Sequence, residues 1–524
     1  MKVTISDWLS FYGKEIPNKT ALVYKGNNIT YSNFNMAVDR VAALLQDSGF
    51  NKGDRVAVYM EKTPGEVFSI LGINRIGGIF IDVNHLLKPP QVGHILNDSG
   101  ARILITTSDR LQFLIPVLKT CKALESIMVN GDPDIYPNLD IDLIHYDYWK
   151  GEVKYESPRL VETDVASIIY TSGSTGMPKG VVISNRNLLA GAESVSNYVE
   201  NSENDRILSV LPFSFDYGLN QLTTSLYVGA TCVLMNYLFP NDILKTMAAE
   251  SITGLGLIPP LWLQLLKKDW DNTTFPNWRY MTNTGGRLPE AAVREIRHRS
   301  PELRIYLMYG LTEAFRGTYL PPDQVDKRPG SVGKAIPNAE IWILNESGQH
   351  CKPGEEGELV QRGAHVSLGY WNDPDKTAKS FRPNSFAPKG TQFTEYVVYS
   401  GDRFKMDEEG FLYFVNRADE MIKTSGYRVS PTEVEEAIYA TNLVEHSVVF
   451  GVADEILGEK IIAIASLKNP SESTLDDIKS NCSQKLAGYM VPKEIVIWDS
   501  LPLNSNGKLD RPKIKEMYLK DNVK

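Results

Sequence analysis

Hydrophobic positions in this chain switch between two periods, and they do so in order along it. Residues 41–45 carry helical spacing, whereas Asp54-Arg55-Val56-Ala57-Val58-Tyr59-Met60 reads as a short strand. Residues 66–76 return to helical spacing, Gly77-Gly78 supplies a turn, and Ile79-Phe80-Ile81 reads as the next strand. The alternation recurs to about residue 320 and predicts an α/β architecture. Over residues 330–414 the texture changes. Gly and Pro punctuate short alternating strands there, such as residues 339–344 and 357–360, which predicts a smaller β-rich subdomain. A third unit begins near Asp419, where strands and helices resume. In it, Ser430-Pro431-Thr432-Glu433 places Ser at a helix N-cap, Pro at the first helical position and Glu three after the cap. Just before, Ser425-Gly426-Tyr427 can make a tight turn between strands. No internal repeat or low-complexity linker interrupts these units.

Bulk properties narrow the function classes. A length of 524 residues suffices for two to four domains, each with its own core. The composition, 42% apolar and 23% charged, is that of a globular protein. A formal net charge of −9 without a long basic run argues against general affinity for nucleic acid or anionic membrane. Cys121, Cys232, Cys351 and Cys482 are scattered without CxxC spacing, so neither a disulfide framework nor a zinc site is indicated. The first residues lack the apolar core of a signal peptide. The most apolar stretch, residues 67–81, is broken by Asn74 and Arg75, so no membrane span is expected. The expectation is a cytoplasmic protein.

The richest chemistry lies in Tyr170-Thr171-Ser172-Gly173-Ser174-Thr175-Gly176-Met177-Pro178-Lys179-Gly180, after the apolar run at residues 165–169. Small residues let backbone N–H groups converge on an anion, hydroxyls add donors, and Lys179 supplies a compact positive charge. The loop is no Walker A sequence, because the lysine comes too late and Gly180 stands where a magnesium-binding hydroxyl belongs. Taken alone, a Gly/Ser/Thr cluster is equally a surface turn. Four further elements join it. Tyr309-Gly310-Leu311-Thr312-Glu313 follows a strand at residues 303–308, Tyr399-Ser400-Gly401-Asp402 puts a carboxylate on a turn, and Asn416-Arg417-Ala418-Asp419 lies between the second and third units. Near the end, Pro502-Leu503-Asn504-Ser505-Asn506-Gly507-Lys508 places a lysine on an Asn/Gly turn.

In this order the motifs resemble the adenylate-forming superfamily of acyl-CoA synthetases, peptide-synthetase adenylation domains and luciferases. The resemblance spans residues 29–508. It implies an N-terminal domain, residues 1–418, of βαβ subdomains with a β-rich part at about 330–418, and a small mobile α+β domain at 419–524. It also implies site roles. Thr171, Ser172, Gly173, Ser174, Thr175, Gly176 and Lys179 would hold the β- and γ-phosphates of ATP. Thr312 would contact phosphate and Glu313 would hold Mg²⁺. Asp402 would receive the ribose hydroxyls, with Arg417 nearby; Gly285 and Gly286 would present backbone to adenine, and Tyr309 joins this nucleotide set. Lys508 would bridge the substrate carboxylate and the α-phosphate. Asp419 aligns with the hinge about which the small domain turns, bringing Ser425, Gly426 and Tyr427 to the path of a phosphopantetheine thiol.

For the activated acid, Leu211-Pro212-Phe213-Ser214-Phe215-Asp216-Tyr217-Gly218 matches the family's substrate motif. Phe215 stands where many acyl-CoA synthetases carry histidine, and Asp216 where amino-acid-activating members carry an aspartate. Two readings stand for Asp216: it grips a substrate ammonium, or it bonds backbone or water. The aligned pocket wall includes Tyr217, Asn220, Leu257, Thr282, Thr284, Met308 and Arg316, a polar lining unlike a fatty-acid tunnel. Arg316 either holds a second carboxylate or forms a structural ion pair. The run Tyr309 to Arg316 is also similar to ligases associated with exosortase systems. Asn185 and Asn416 depart from the common histidine and glycine of the pattern. The leading expectation is a ligase that loads an amino acid or small polar acid onto the phosphopantetheine of a separate carrier protein. A small-molecule acyl-CoA synthetase using free CoA is the second reading. A luciferase-like oxidase or a nucleotide-binding regulator without turnover is the third.

Overall fold

The computed structural model describes residues 2–87, 89–131, 141–150, 153–171, 178–270, 274–390, 392–417, 422–424, 427–454, 457–468, 475–486, 488 and 490–522. Two large sheets dominate. The first runs, edge to edge, Asp142–His145, Ser126–Asn130, Ile103–Thr107, Arg55–Tyr59, Ile79–Asp82, Val165–Thr171 and Lys179–Ser184. Its pairings are parallel except the last, in which Thr171 lies opposite Lys179. The second has a parallel centre, Arg304–Tyr309, Tyr280–Asn283, Gly254–Leu257, Arg206–Ser209, Thr231–Leu234 and Thr20–Tyr24, with antiparallel strands at both edges.

The strand and helix over residues 54–76 appear where the periodicity predicts them, as Arg55–Tyr59 and Pro64–Arg75. That helix is buried on every side. Residues of Ile5–Glu15, Tyr31–Asp47, Pro64–Arg75, Asn185–Val199 and Asp216–Val228 share one apolar core with residues of both sheets, so these helices form the layer between them. A helix apolar all round is the expected solution for such a buried layer.

Beyond residue 338 an antiparallel sheet takes over: Ala339–Leu344, Glu356–Gly363, Tyr396–Met406 and Phe381–Pro383, with Leu412–Arg417 pairing Tyr396–Met406. The C-terminal unit has its own sheet, built on the long hairpin Val444–Asp454 and Gly458–Leu467, and its own core. The helix Pro431–Tyr439 starts at the expected N-cap Ser430. Its side chain makes no capping bond to the helix; the Ser430 hydroxyl instead donates to the Val415 carbonyl at 2.8 Å. The boundary expected at 418/419 lies outside the described residues. Among the described residues no helix is long and apolar enough to cross a membrane.

Candidate active site

Parallel strands of the second sheet end together, and their carboxyl ends open the crevice where an α/β sheet receives ligands. The strand Arg304–Tyr309 carries the first contact. Tyr309 donates its hydroxyl to Asp402 Oδ2 at 2.6 Å, across to the antiparallel sheet. Asp402 is buried within the strand Tyr396–Met406 rather than on the expected turn; Gly401 before it adopts φ +71°, at an irregularity in the pairing with Glu356–Gly363. The backbone of Arg417 pairs directly opposite Asp402.

After Tyr309 the chain forms a single 3-10 turn, Thr312–Ala314, and then Phe315 at φ +50°. A buried aromatic in the left-handed region is strained. It is held because its ring meets Gly191, where a Cβ would come within 2.6 Å of Phe315 Cδ1. The kink separates two sets of contacts. On one side Glu313 Oε1 accepts the Tyr370 hydroxyl at 2.6 Å, and Lys179 Nζ stands 5.1 Å from the Tyr370 ring centroid. Burial, and then the Glu313 charge, push the Tyr370 hydroxyl well above its ordinary range, so it stays a donor. Tyr370 was not anticipated from sequence; an aromatic in Gly369-Tyr370-Trp371 carries no chemical signal of its own.

On the other side of the kink lies Arg316, and of its two readings the structure shows an ion pair, made with Asp216 of the substrate motif. Arg316 Nη1 donates to Asp216 Oδ2 at 3.2 Å, Nη2 to the Asp216 carbonyl at 3.1 Å, and Nε to Asn220 Oδ1 at 3.3 Å. Both residues are buried. Asp216 therefore is not a lone carboxylate awaiting an ammonium, and Arg316 is not a lone cation awaiting a second carboxylate; each already neutralises the other. Around the pair the wall is polar but internally bonded. Tyr217 and Thr282 share a hydroxyl contact, and Gln221 donates to the Gly256 carbonyl at 2.8 Å. Their three tips would all lie 2.7 Å from a Cβ at Gly256. The Tyr198 hydroxyl points at Met308 Sδ, 2.9 Å away. Thr284 is buried one residue past the strand Tyr280–Asn283. Gln221 and Tyr198 escaped sequence reading, since only helix packing brings them to the wall.

The last component arrives from the C-terminal unit. Asn504 Oδ1 accepts from the backbone N–H of Asn506 at 3.0 Å and of Lys508 at 3.1 Å, which closes the Asn/Gly turn. Asn84 Nδ2 donates to the Ser505 carbonyl at 2.8 Å and ties this turn to the first sheet. Lys508 thereby enters the crevice, with Nζ 4.8 Å from the centroid of the Phe215 ring. Gly285, at φ +79°, makes room: a Cβ there would lie 2.9 Å from Lys508 Cε. Asn283 Nδ2 donates to the neighbouring Gly286 carbonyl at 3.1 Å. Lys508 is thus placed beside the residue that precedes Asp216.

Ser172, Gly173, Ser174, Thr175, Gly176, Asp419, Ser425 and Gly426 lie outside the described residues, and of Arg417 and Tyr427 the backbone alone is described. The flanks of the expected phosphate loop are defined. The Thr171–Lys179 pairing makes it a hairpin connection, and Thr171 Oγ1 is buried without a partner among the described residues. An orphaned hydroxyl beside a lysine suits a phosphate oxygen. No group of three or more His, Cys, Asp or Glu among the described residues could hold a metal. Glu313 with substrate phosphates and water is the donor set a magnesium ion takes, so these residues fit nucleotide and metal.

Comparison with known proteins agrees. A family model for the AMP-binding enzyme matches residues 12–371, and one for the AMP-binding enzyme C-terminal domain matches residues 433–508. A long-chain-fatty-acid–CoA ligase of Bacillus subtilis (strain 168) is 29% identical over 98% of this chain and 94% of its own. Tyrocidine synthase 3 of Brevibacillus parabrevis is 30% identical over 94% of this chain, which spans 7% of that synthase. The chain also superposes on the O-succinylbenzoate coenzyme A synthetase (MenE) of Bacillus subtilis, solved with ATP and magnesium ion. The TM-score is 0.82 at 26% identity, covering 97% of this chain and 99% of that one.

Proposed function

The chain belongs to the AMP-binding enzyme family and is an ATP-dependent, AMP-forming ligase; on that premise we propose that it activates a small polar carboxylic acid and passes the acyl group to a phosphopantetheine thiol. The observation that carries this reading is the position of Lys508, against Gly285 and the ring of Phe215, the residue before the ion-paired Asp216.

A carboxylate is a poor electrophile, so it is first joined to phosphorus. One carboxylate oxygen attacks the α-phosphorus of ATP, the bond to the bridging oxygen breaks, and pyrophosphate leaves with its electron pair. Lys508 stands where negative charge accumulates in that step, and one such preorganised donor accounts for a factor of ~10²–10³ in rate. Thr171 and Lys179 receive the departing phosphates, while Asp402, held by Tyr309, receives the ribose hydroxyls. A magnesium ion held by Glu313 would neutralise triphosphate charge. The thiol sulfur then attacks the acyl carbon and gives up its proton to solvent, the acyl C–O bond breaks, and AMP leaves with that oxygen and the bonding electron pair. In this reading Asp419 is the hinge whose rotation withdraws Lys508 and brings Ser425, Gly426 and Tyr427 to the thiol path.

The acid class follows from the neutralised pair. With Asp216 and Arg316 bonded to each other, the pocket offers hydrogen bonds without net charge. This favours a small acid with an uncharged polar end over an amino acid or a dicarboxylate. ATP–pyrophosphate exchange across hydroxy acids, amino acids, dicarboxylates and unsubstituted fatty acids tests it; exchange confined to long fatty acids would sink the reading. Supplying free CoA or a phosphopantetheinylated carrier protein to the loaded enzyme then tells the two acceptors apart.

A further inference from the structure

Three ionisable residues that this chemistry does not use lie buried together. Lys62, Glu66 and Asp82 are 3%, 4% and 7% exposed. Glu66 is in the first turn of the wholly buried helix Pro64–Arg75, and Asp82 ends the strand Ile79–Asp82. Lys62 Nζ donates to the Ser209 carbonyl at 3.1 Å, to Ser209 Oγ at 3.2 Å and to the Leu211 carbonyl, and it lies 4.6 Å from the Phe213 ring centroid. An ammonium has three protons; all three are committed to Ser209 and Leu211.

That commitment explains the carboxyls. Burying a lone ammonium costs several kcal/mol unless opposite charge accompanies it. Glu66 and Asp82 supply it, yet two carboxylates beside each other cannot both ionise cheaply. Burial and the Asp82 charge hold Glu66 well above its usual range. Burial pushes Asp82 up to about 7 and draws Lys62 down to about 8. A proton retained on one of the two carboxyls leaves the trio neutral.

The trio's position gives it a task. Ser209 closes the strand Arg206–Ser209, and Leu211 opens the turn that leads to Phe215 and Asp216. Asp82 lies two residues before Asn84, which binds the turn carrying Lys508. The same cluster thus adjoins in the chain both the segment leading to Phe215 and Asn84, which holds the turn that carries Lys508. We propose that Lys62, charge-balanced by Glu66 and Asp82, is a positioning residue that clamps the Ser209–Leu211 backbone so that Phe215 and Asp216 meet Lys508 and the acid. This rests on the adenylation reading above.

Lys62→Met, which keeps length and removes charge, is the central test. Hydrogen–deuterium exchange over residues 209–217 is expected to quicken at least about tenfold, with the distant C-terminal hairpin unchanged. In ATP–pyrophosphate exchange, KM for the acid is expected to rise about tenfold and KM for ATP less than twofold. Equal changes in both KM values, or no local change in hydrogen exchange, would overturn the assignment. Lys62→Met/Asp82→Asn removes the stranded carboxylate and is expected to recover stability without recovering acid KM; recovery of both refutes positioning. Should both variants fail to fold, Ser209→Ala removes one acceptor alone and is expected to show the same pattern at about threefold. A Ser209→Ala enzyme with wild-type KM and exchange rates counts against the proposal. If the wild type supports exchange with no acid, the adenylation reading fails, and hydrogen exchange judges the clamp by itself.

Discussion

Arg316 and Asp216, separated by one hundred residues in the chain, form a direct ion pair at 3.2 Å, and both are buried. Neither charge is available to a ligand without being taken from the other. The pair therefore sets the electrostatics of the pocket and part of the stability of its wall.

Removing one partner leaves a buried uncompensated charge. Arg316→Met is expected to cost about 3–5 kcal/mol in urea denaturation, whereas Asp216→Leu/Arg316→Met should lie close to wild type. A milder change, Asp216→Asn, should lower exchange with neutral polar acids without creating preference for amino acids. A single Arg316→Met variant as stable as wild type would show that the pair is solvated.

Lys508→Ala should reduce ATP–pyrophosphate exchange by about 10²–10³ yet leave thiol transfer from supplied acyl-adenylate within a few-fold of wild type. Gly285→Ala should imitate it from the other side, because the added Cβ would meet Lys508 Cε at 2.9 Å and φ is +79° there. Equal loss of both half-reactions in Lys508→Ala would contradict the assignment.

Tyr309→Phe removes the donor to Asp402 while keeping the ring that packs on Phe404, 4.8 Å between centroids. A hydrogen bond to a charged group is worth ~1.5–3 kcal/mol, so KM for ATP should rise roughly tenfold or more while KM for the acid holds. A rise in both alike would point to collapse of the crevice instead.

His365 gives the fold a pH dependence. It is fully buried, burial first and the Arg316 charge next hold it neutral, and its pKa is lowered to about 4. Ser194 spends its one proton on the Pro337 carbonyl at 2.8 Å, so the proton between Ser194 and His365 is on Nε2. The unfolded chain binds a proton near pH 6.5, before the folded chain does, so stability falls as pH drops from about 6.5 toward 4. The loss from this group is about 3 kcal/mol across that window. His365→Gln should flatten that part of the urea-midpoint curve, and an unaltered slope would remove His365 from the account.

Local elements and the chemistry they carry are legible along the chain. The period of apolar residues located Arg55–Tyr59, Pro64–Arg75 and Ala339–Leu344 because burial on one side or on all sides leaves a mark within a few residues. Donor-rich turns at residues 170–180 and 502–510 were legible for the same reason: the groups a phosphate needs sit next to one another in the chain. What each charge meets depends on how distant segments pack. Asp216 reads alike whether it awaits an ammonium or has Arg316, since that partner comes from a different strand end, past the strained Phe315. Nothing beside Lys62 in the chain marks it, and packing alone leaves it buried. Nor can local spacing say that Lys508 lodges between Gly285 and Phe215, because that contact joins two separately cored units. Periodicity is written by neighbours in sequence, whereas the pairing of buried charges is written by packing, and packing chose the partners here.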